Sequence, residues 1–81
     1  MKRVTYGQLR RVLIELGFKE TRRANGVALE HKPSATLLLF RPYDENDRMQ
    51  PAEVWHVQKL LDERDLLEPE SFESLLTKAP A

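Results

Sequence analysis

The hydrophobic period of this chain changes at Gly17. Before it, Leu9, Val12, Leu13 and Leu16 recur at i, i+3, i+4 and i+7, the stripe of a helix with one buried face. Beyond it, Val27, Leu29 and His31 fall on one side of an alternating run, with Ala28, Glu30 and Lys32 on the other, as in a half-buried strand. A short chain that starts as a helix and turns to hairpin-connected strands is confined to a layered α+β architecture.

The spacing predicts a first helix from about Tyr6 to Leu16. Thr5 is the expected N-cap, and Gln8 three residues on completes a capping box, in which each residue satisfies a backbone donor of the other. Val4 and Leu9 stand where a hydrophobic staple joins them. Gly17 ends the helix because glycine enters the left-handed C′ conformation without a steric penalty. Two strands follow, about Phe18–Arg23 and Val27–Lys32, around Asn25-Gly26, a dipeptide that favours a type I′ turn. The first is mostly polar and suits an edge or an open sheet face. Pro33-Ser34 breaks the pattern before a third strand, Ala35 to Phe40, whose Leu37-Leu38-Leu39-Phe40 run is apolar on both faces. One face packs on helices, and the other needs cover from elsewhere.

Residues 41–50 read as a polar loop. Asp44, Glu45 and Asp47 are spaced carboxylates without the glycine and terminal glutamate of a calcium loop, so a solvated loop is expected. Pro51 suits the first position of a second helix reaching about Asp65, with Val54, Val57, Leu60 and Leu61 inward and Glu53 at the positive end of its dipole. A short third helix after Pro69 carries Phe72, Leu75 and Leu76. It either covers the spare face of the third strand or fills a groove on the main core. The fold expected for residues 1–81 is a single α+β domain, a two-layer α-β-β-β-α sandwich with an extra short C-terminal helix.

Composition narrows the function classes. The 81 residues include no cysteine, which excludes disulfides and thiolate metal sites. No apolar run approaches the roughly 20 residues of a membrane span, and no signal peptide is read at the start, so a cytoplasmic domain is expected. The formal net charge is zero, yet residues 1–41 hold nine basic and three acidic residues while residues 42–81 hold four and ten. Such asymmetry suits an anionic partner for the first half, or mutual neutralisation of the halves within the fold.

The stretch Thr5-Tyr6-Gly7-Gln8-Leu9-Arg10-Arg11-Val12-Leu13 leading into Gly17-Phe18 resembles the opening of HicA-type toxins. A short hairpin, Glu30-His31-Lys32-Pro33, an aliphatic strand, a proline-containing loop and a second helix follow in the family's order, over roughly residues 4–66. The resemblance implies a double-stranded-RNA-binding-domain-like fold, messenger RNA as the substrate, and a HicB-type antitoxin as the protein partner. It also implies a catalytic histidine in a Gly-Ser-His-like motif at the start of the second strand. This chain departs there: Val27 or Ala28, depending on register, fills the histidine slot, and neither can move a proton. The family's proline-arginine-histidine segment reads Arg41-Pro42-Tyr43.

RNA cleavage by 2′-hydroxyl attack needs a base and an acid near neutrality, the task for which histidine is suited. His31 is the catalytic candidate, near basic residues on a strand; the plainer alternative is a hydrogen-bonded, half-buried histidine. His56 on the second helix has no partner at a useful spacing. Lys2, Arg3, Arg10, Arg11, Lys19, Arg22 and Arg23 are the candidates for tracking RNA phosphates, a contact mode with little sequence information. Leu37, Leu39 and Trp55 are the candidates for a protein partner or homodimer surface. Trp55 lies off its helix stripe by a step of about 100°, so it either wraps round the core edge or stands exposed as an anchor. No cofactor or metal site is implied. The competing functions are a HicA-like domain without its catalytic histidine that binds RNA or an antitoxin-like protein, a purely structural or interaction module, and a ribonuclease that uses His31.

Overall fold

Helix α1 (Tyr6–Glu15) is closed at both ends by the residues that predict it. Gln8 Oε1 accepts the Thr5 N–H at 2.9 Å and Thr5 Oγ1 accepts the Gln8 N–H at 3.3 Å. At the other end Gly17 adopts φ 101°. Its N–H donates to the Ile14 carbonyl and that of Phe18 to the Leu13 carbonyl, both at 3.0 Å, a Schellman motif. The molecule is described by a computed structural model, which covers residues 4–78. Lys2 and Arg3, two of the expected RNA contacts, lie outside the described residues.

Three antiparallel strands follow, β1 (Lys19–Arg23), β2 (Gly26–His31) and β3 (Thr36–Phe40), in the spatial order β1-β2-β3. A 3-10 turn, Lys32–Ser34, and Ala35 at φ 54° separate β2 from β3, which starts one residue later than expected. Helix α2 (Pro51–Glu63) packs on the same face of the sheet as α1, and α3 (Pro69–Lys78) completes the helical layer. Val27, Leu29, Leu38 and Phe40 supply the sheet side of the core. Leu9, Val12 and Leu13 of α1, Val54, Val57 and Leu61 of α2, and Phe72 and Leu76 of α3 supply the helix side. The fold is therefore the α+β two-layer sandwich expected, with its third helix. Among the described residues no helix is long and apolar enough to cross a membrane.

Several local expectations are corrected. The hairpin turn is not the Asn25-Gly26 type I′ turn. Arg23 pairs with Gly26, so Ala24 and Asn25 form the loop, and neither Asn25 nor Gly26 has a positive φ. Gly26 is required for a different reason: a Cβ there would sit 2.6 Å from the Phe40 carbonyl oxygen of the neighbouring strand. Helix α2 stops at Glu63, not Asp65, because Asp65 turns to φ 55° and the Leu66 N–H reaches back to the Leu61 carbonyl at 2.9 Å.

The polar loop 41–50 is exposed at Asp44 to Asp47 as expected, but Tyr43 and Met49 are buried in the core. Its backbone carbonyls at Asp47 and Glu45 accept the Tyr6 and Gly7 N–H groups, each at 2.9 Å. Those donors have no acceptor within the helix, so the loop is a built part of the α1 N-terminus. Helix α3 packs on α1 and α2, which settles the alternative: it fills the helical groove and leaves the outer face of β3 bare.

Candidate functional site

The sheet has two unlike faces. On the helix side, β1 contributes Glu20 and Arg22, continuing the inward alternation that starts at Phe18. Glu20 accepts the Tyr6 hydroxyl at 2.6 Å and the Arg10 Nε–H at 2.9 Å. The Arg22 guanidinium lies 5.6 Å from the Tyr6 ring centroid and donates to the Tyr43 carbonyl at 2.7 Å. Tyr43 stacks on Tyr6, with centroids 5.8 Å apart, and its hydroxyl donates to Glu53. Burial alone would raise the Glu20 pKa, but the hydrogen bonds from Tyr6 and Arg10 and the two guanidinium charges outweigh it and hold the carboxyl below its ordinary value. Burial, followed by the bond to Glu20, pushes the Tyr6 hydroxyl well above the ordinary phenol value. Burial and then Glu53 raise Tyr43. These groups tie α1, β1 and the loop together. Chemically they form a closed, satisfied cluster, with no buried side-chain polar atom lacking a partner among the described residues.

This cluster takes up two of the expected RNA contacts, Arg10 and Arg22. Arg11 stands exposed on α1, whereas Lys19 and Arg23 point from β1 to the opposite, open face. The described basic candidates are thus divided among three surfaces and do not form one stripe.

His31 ends β2 on the helix side. Its ring lies 5.1 Å from the Phe18 ring, and Nδ1 is 2.7 Å from Ser34 Oγ, which in turn is 2.7 Å from the buried Thr36 hydroxyl. That geometry is the half-buried, hydrogen-bonded histidine of the plainer alternative. It closes the end of the core and faces away from the open face of the sheet. Of the two residues that could fill the histidine slot of the resemblance, Val27 is buried in the core and Ala28 lies on the open face. His56 is exposed on α2. Among the described residues no group of three or more His, Cys, Asp or Glu could hold a metal ion.

The open face is built in rows by the strand register. Lys19, Glu30 and Leu37 form one row, and Thr21, Ala28 and Leu39 the next, with Arg23 beside Gly26 at the hairpin end. Small residues at Gly26 and Ala28 leave a shallow depression of about 510 Å³, walled by Thr21 and Arg23 on one side and by Leu37 and Leu39 on the other. Leu37 is 54 % and Leu39 71 % exposed. Trp55 is also exposed, at 53 %, with the Lys59 ammonium 5.1 Å from its ring centroid. It does not wrap round the core edge. It projects from α2, whereas Leu37 and Leu39 lie on the open face of the sheet.

Sequence reasoning missed Tyr6, Glu20, Tyr43 and Glu53 as a unit. The available signal was the alternation Phe18, Glu20, Arg22, which turns two charges toward the helices. Comparisons with protein-family models, with curated proteins and with solved structures return no match.

Proposed function

We propose that this chain is a HicA-like domain without the family's catalytic histidine, and that it acts as a protein-binding module whose open sheet face takes an antitoxin-like protein. The observation that carries the reading is the exposure of Leu37 and Leu39 on the outer face of β3, which no helix covers among the described residues. Apolar side chains clustered beside polar walls are the usual make-up of an interaction surface. Lys19 and Arg23 against Glu30 leave the face with a small positive excess, which suits an acidic partner surface. Two features count against retained catalysis: Val27 or Ala28 fills the position where the resemblance implies a histidine, and the half-buried His31 is bonded to Ser34.

The test is coexpression with the product of the adjacent reading frame, followed by co-purification and titration calorimetry. Wild type is expected to hold that product, and Leu39→Asp to lose it while keeping its own melting temperature. Purified wild type is expected to leave a messenger RNA substrate uncleaved. Binding of structured RNA that survives Leu39→Asp, weakens steeply with salt and is lost in a Lys19→Ala/Arg23→Ala double variant would replace the protein-partner reading with an RNA one.

A further inference from the structure

We propose that β3 pairs edge to edge with β3 of a second copy of this chain, antiparallel about a two-fold axis that runs normal to the sheet, midway between the two Leu38 residues. The inference goes beyond the proposed function, since it concerns the backbone edge and needs no second gene product.

β3 is the last strand of the sheet, so among the described residues the N–H and C=O groups along one side of Thr36–Phe40 have no strand neighbour. Such an edge is a template for another strand, and proteins that stay monomeric guard it with charge, proline or a bulge. The two edges of this sheet are treated differently. β1 carries Lys19, Glu20, Arg22 and Arg23 in five residues, and two copies meeting there would oppose basic side chains. β3 carries no charge, no proline and no glycine from Thr36 to Phe40. The charge that follows it, Arg41, is drawn over the Tyr43 ring at 5.8 Å. With a formal net charge of zero, no long-range repulsion separates two copies.

Symmetry fixes the arrangement. An axis along the strand would turn the second copy over and set its helical layer beside the bare leucines. An axis normal to the sheet keeps both open faces on one side. Set midway between the two Leu38 residues, it places Leu37 opposite the partner's Leu39 and Leu39 opposite the partner's Leu37. Cross-strand apolar pairs of this kind stabilise a sheet. All four exposed leucines then form a single patch on a six-stranded sheet, an isologous contact that closes at two copies.

Sedimentation velocity on the full chain over a wide concentration series is expected to show the mass rising from one copy to two. Leu37→Lys/Leu39→Lys, at two exposed positions, is expected to stay at one copy with an unchanged circular dichroism spectrum. Because the chain has no cysteine, introduced thiols report the register. Mixed Leu37→Cys and Leu39→Cys chains should cross-link to each other, while each alone should not. A single species of one-copy mass throughout, or self-linking of Leu39→Cys alone, would overturn the proposal. A chain of one-copy mass that still binds the adjacent-frame product removes the dimer and leaves the proposed function standing. A dimer that fails to bind that product does the reverse.

Discussion

Replacing Glu20 by glutamine keeps the shape of the side chain and removes its charge, which isolates the contribution of the cluster between α1 and β1. Glu20 accepts two hydrogen bonds, from Tyr6 and Arg10, and its side chain is only 13 % exposed. Hydrogen bonds to a charged acceptor contribute about 1.5–3 kcal/mol against about 0.5–1.5 for neutral ones, so two bonds lose about 1 kcal/mol each. Arg10 is 36 % exposed, and solvent screening reduces its share. The expected cost at neutral pH is about 1–2 kcal/mol, which for a domain of this size lowers the melting temperature by roughly 5–15 °C. The sign of the pH dependence follows from the depressed carboxyl. Its stabilising contribution is fully present above the ordinary glutamate value of 4.5 and is lost as pH falls through the lower value in the folded protein. Thermal unfolding followed by circular dichroism should therefore show a clear gap between wild type and Glu20→Gln at pH 7. The gap should narrow as the pH falls below that range. A gap that is absent at pH 7, or that is as large in acid as at neutrality, would refute the reasoning.

Gly17→Ala places a Cβ on a residue at φ 101° that closes the Schellman motif, and is expected to cost at least about 1 kcal/mol in urea unfolding. Ala35→Gly acts in the opposite direction, since Ala35 already sits at φ 54°. It should raise the urea midpoint by an amount corresponding to up to about 1 kcal/mol. Phe72→Ala empties a fully buried ring site under α3 and is expected to cost about 3–5 kcal/mol, measured by the same titration.

What the sequence made legible is what local rules govern. The capping box at Thr5 and Gln8, the stop at Gly17 and the alternation from Val27 to His31 each depend on neighbours a few residues away, and the structure keeps them. The placing of Leu37 and Leu39 on the second face of β3 was foreseeable too, because they alternate with Leu38 and Phe40, but the expected cover for that face is absent among the described residues. The rest required tertiary information. Asn25-Gly26 has the chemistry of a type I′ turn, yet Gly26 pairs with Arg23 inside β2, where the neighbouring Phe40 carbonyl leaves no room for a side chain, and the turn sits one residue earlier. Tyr43 and Met49 lie in a loop that reads as solvated, and they are buried because the loop folds back over the first turn of α1. Arg10 and Arg22 look like phosphate contacts in one dimension. In three they face Glu20: Arg22 from the same side of β1, two residues away, and Arg10 across an α1–β1 seam that spacing alone does not reveal.

The most direct measurement is calorimetric titration of the adjacent-frame product into wild type and into Leu39→Asp, beside an RNA cleavage assay on the same preparations. A non-cleaving protein-binding module predicts a saturable complex for wild type, at least a tenfold weaker one for the variant, and intact RNA throughout. Equal affinity in the two chains would contradict the assignment of the open face. RNA cleavage by wild type that is abolished in His31→Ala would contradict the loss of catalysis.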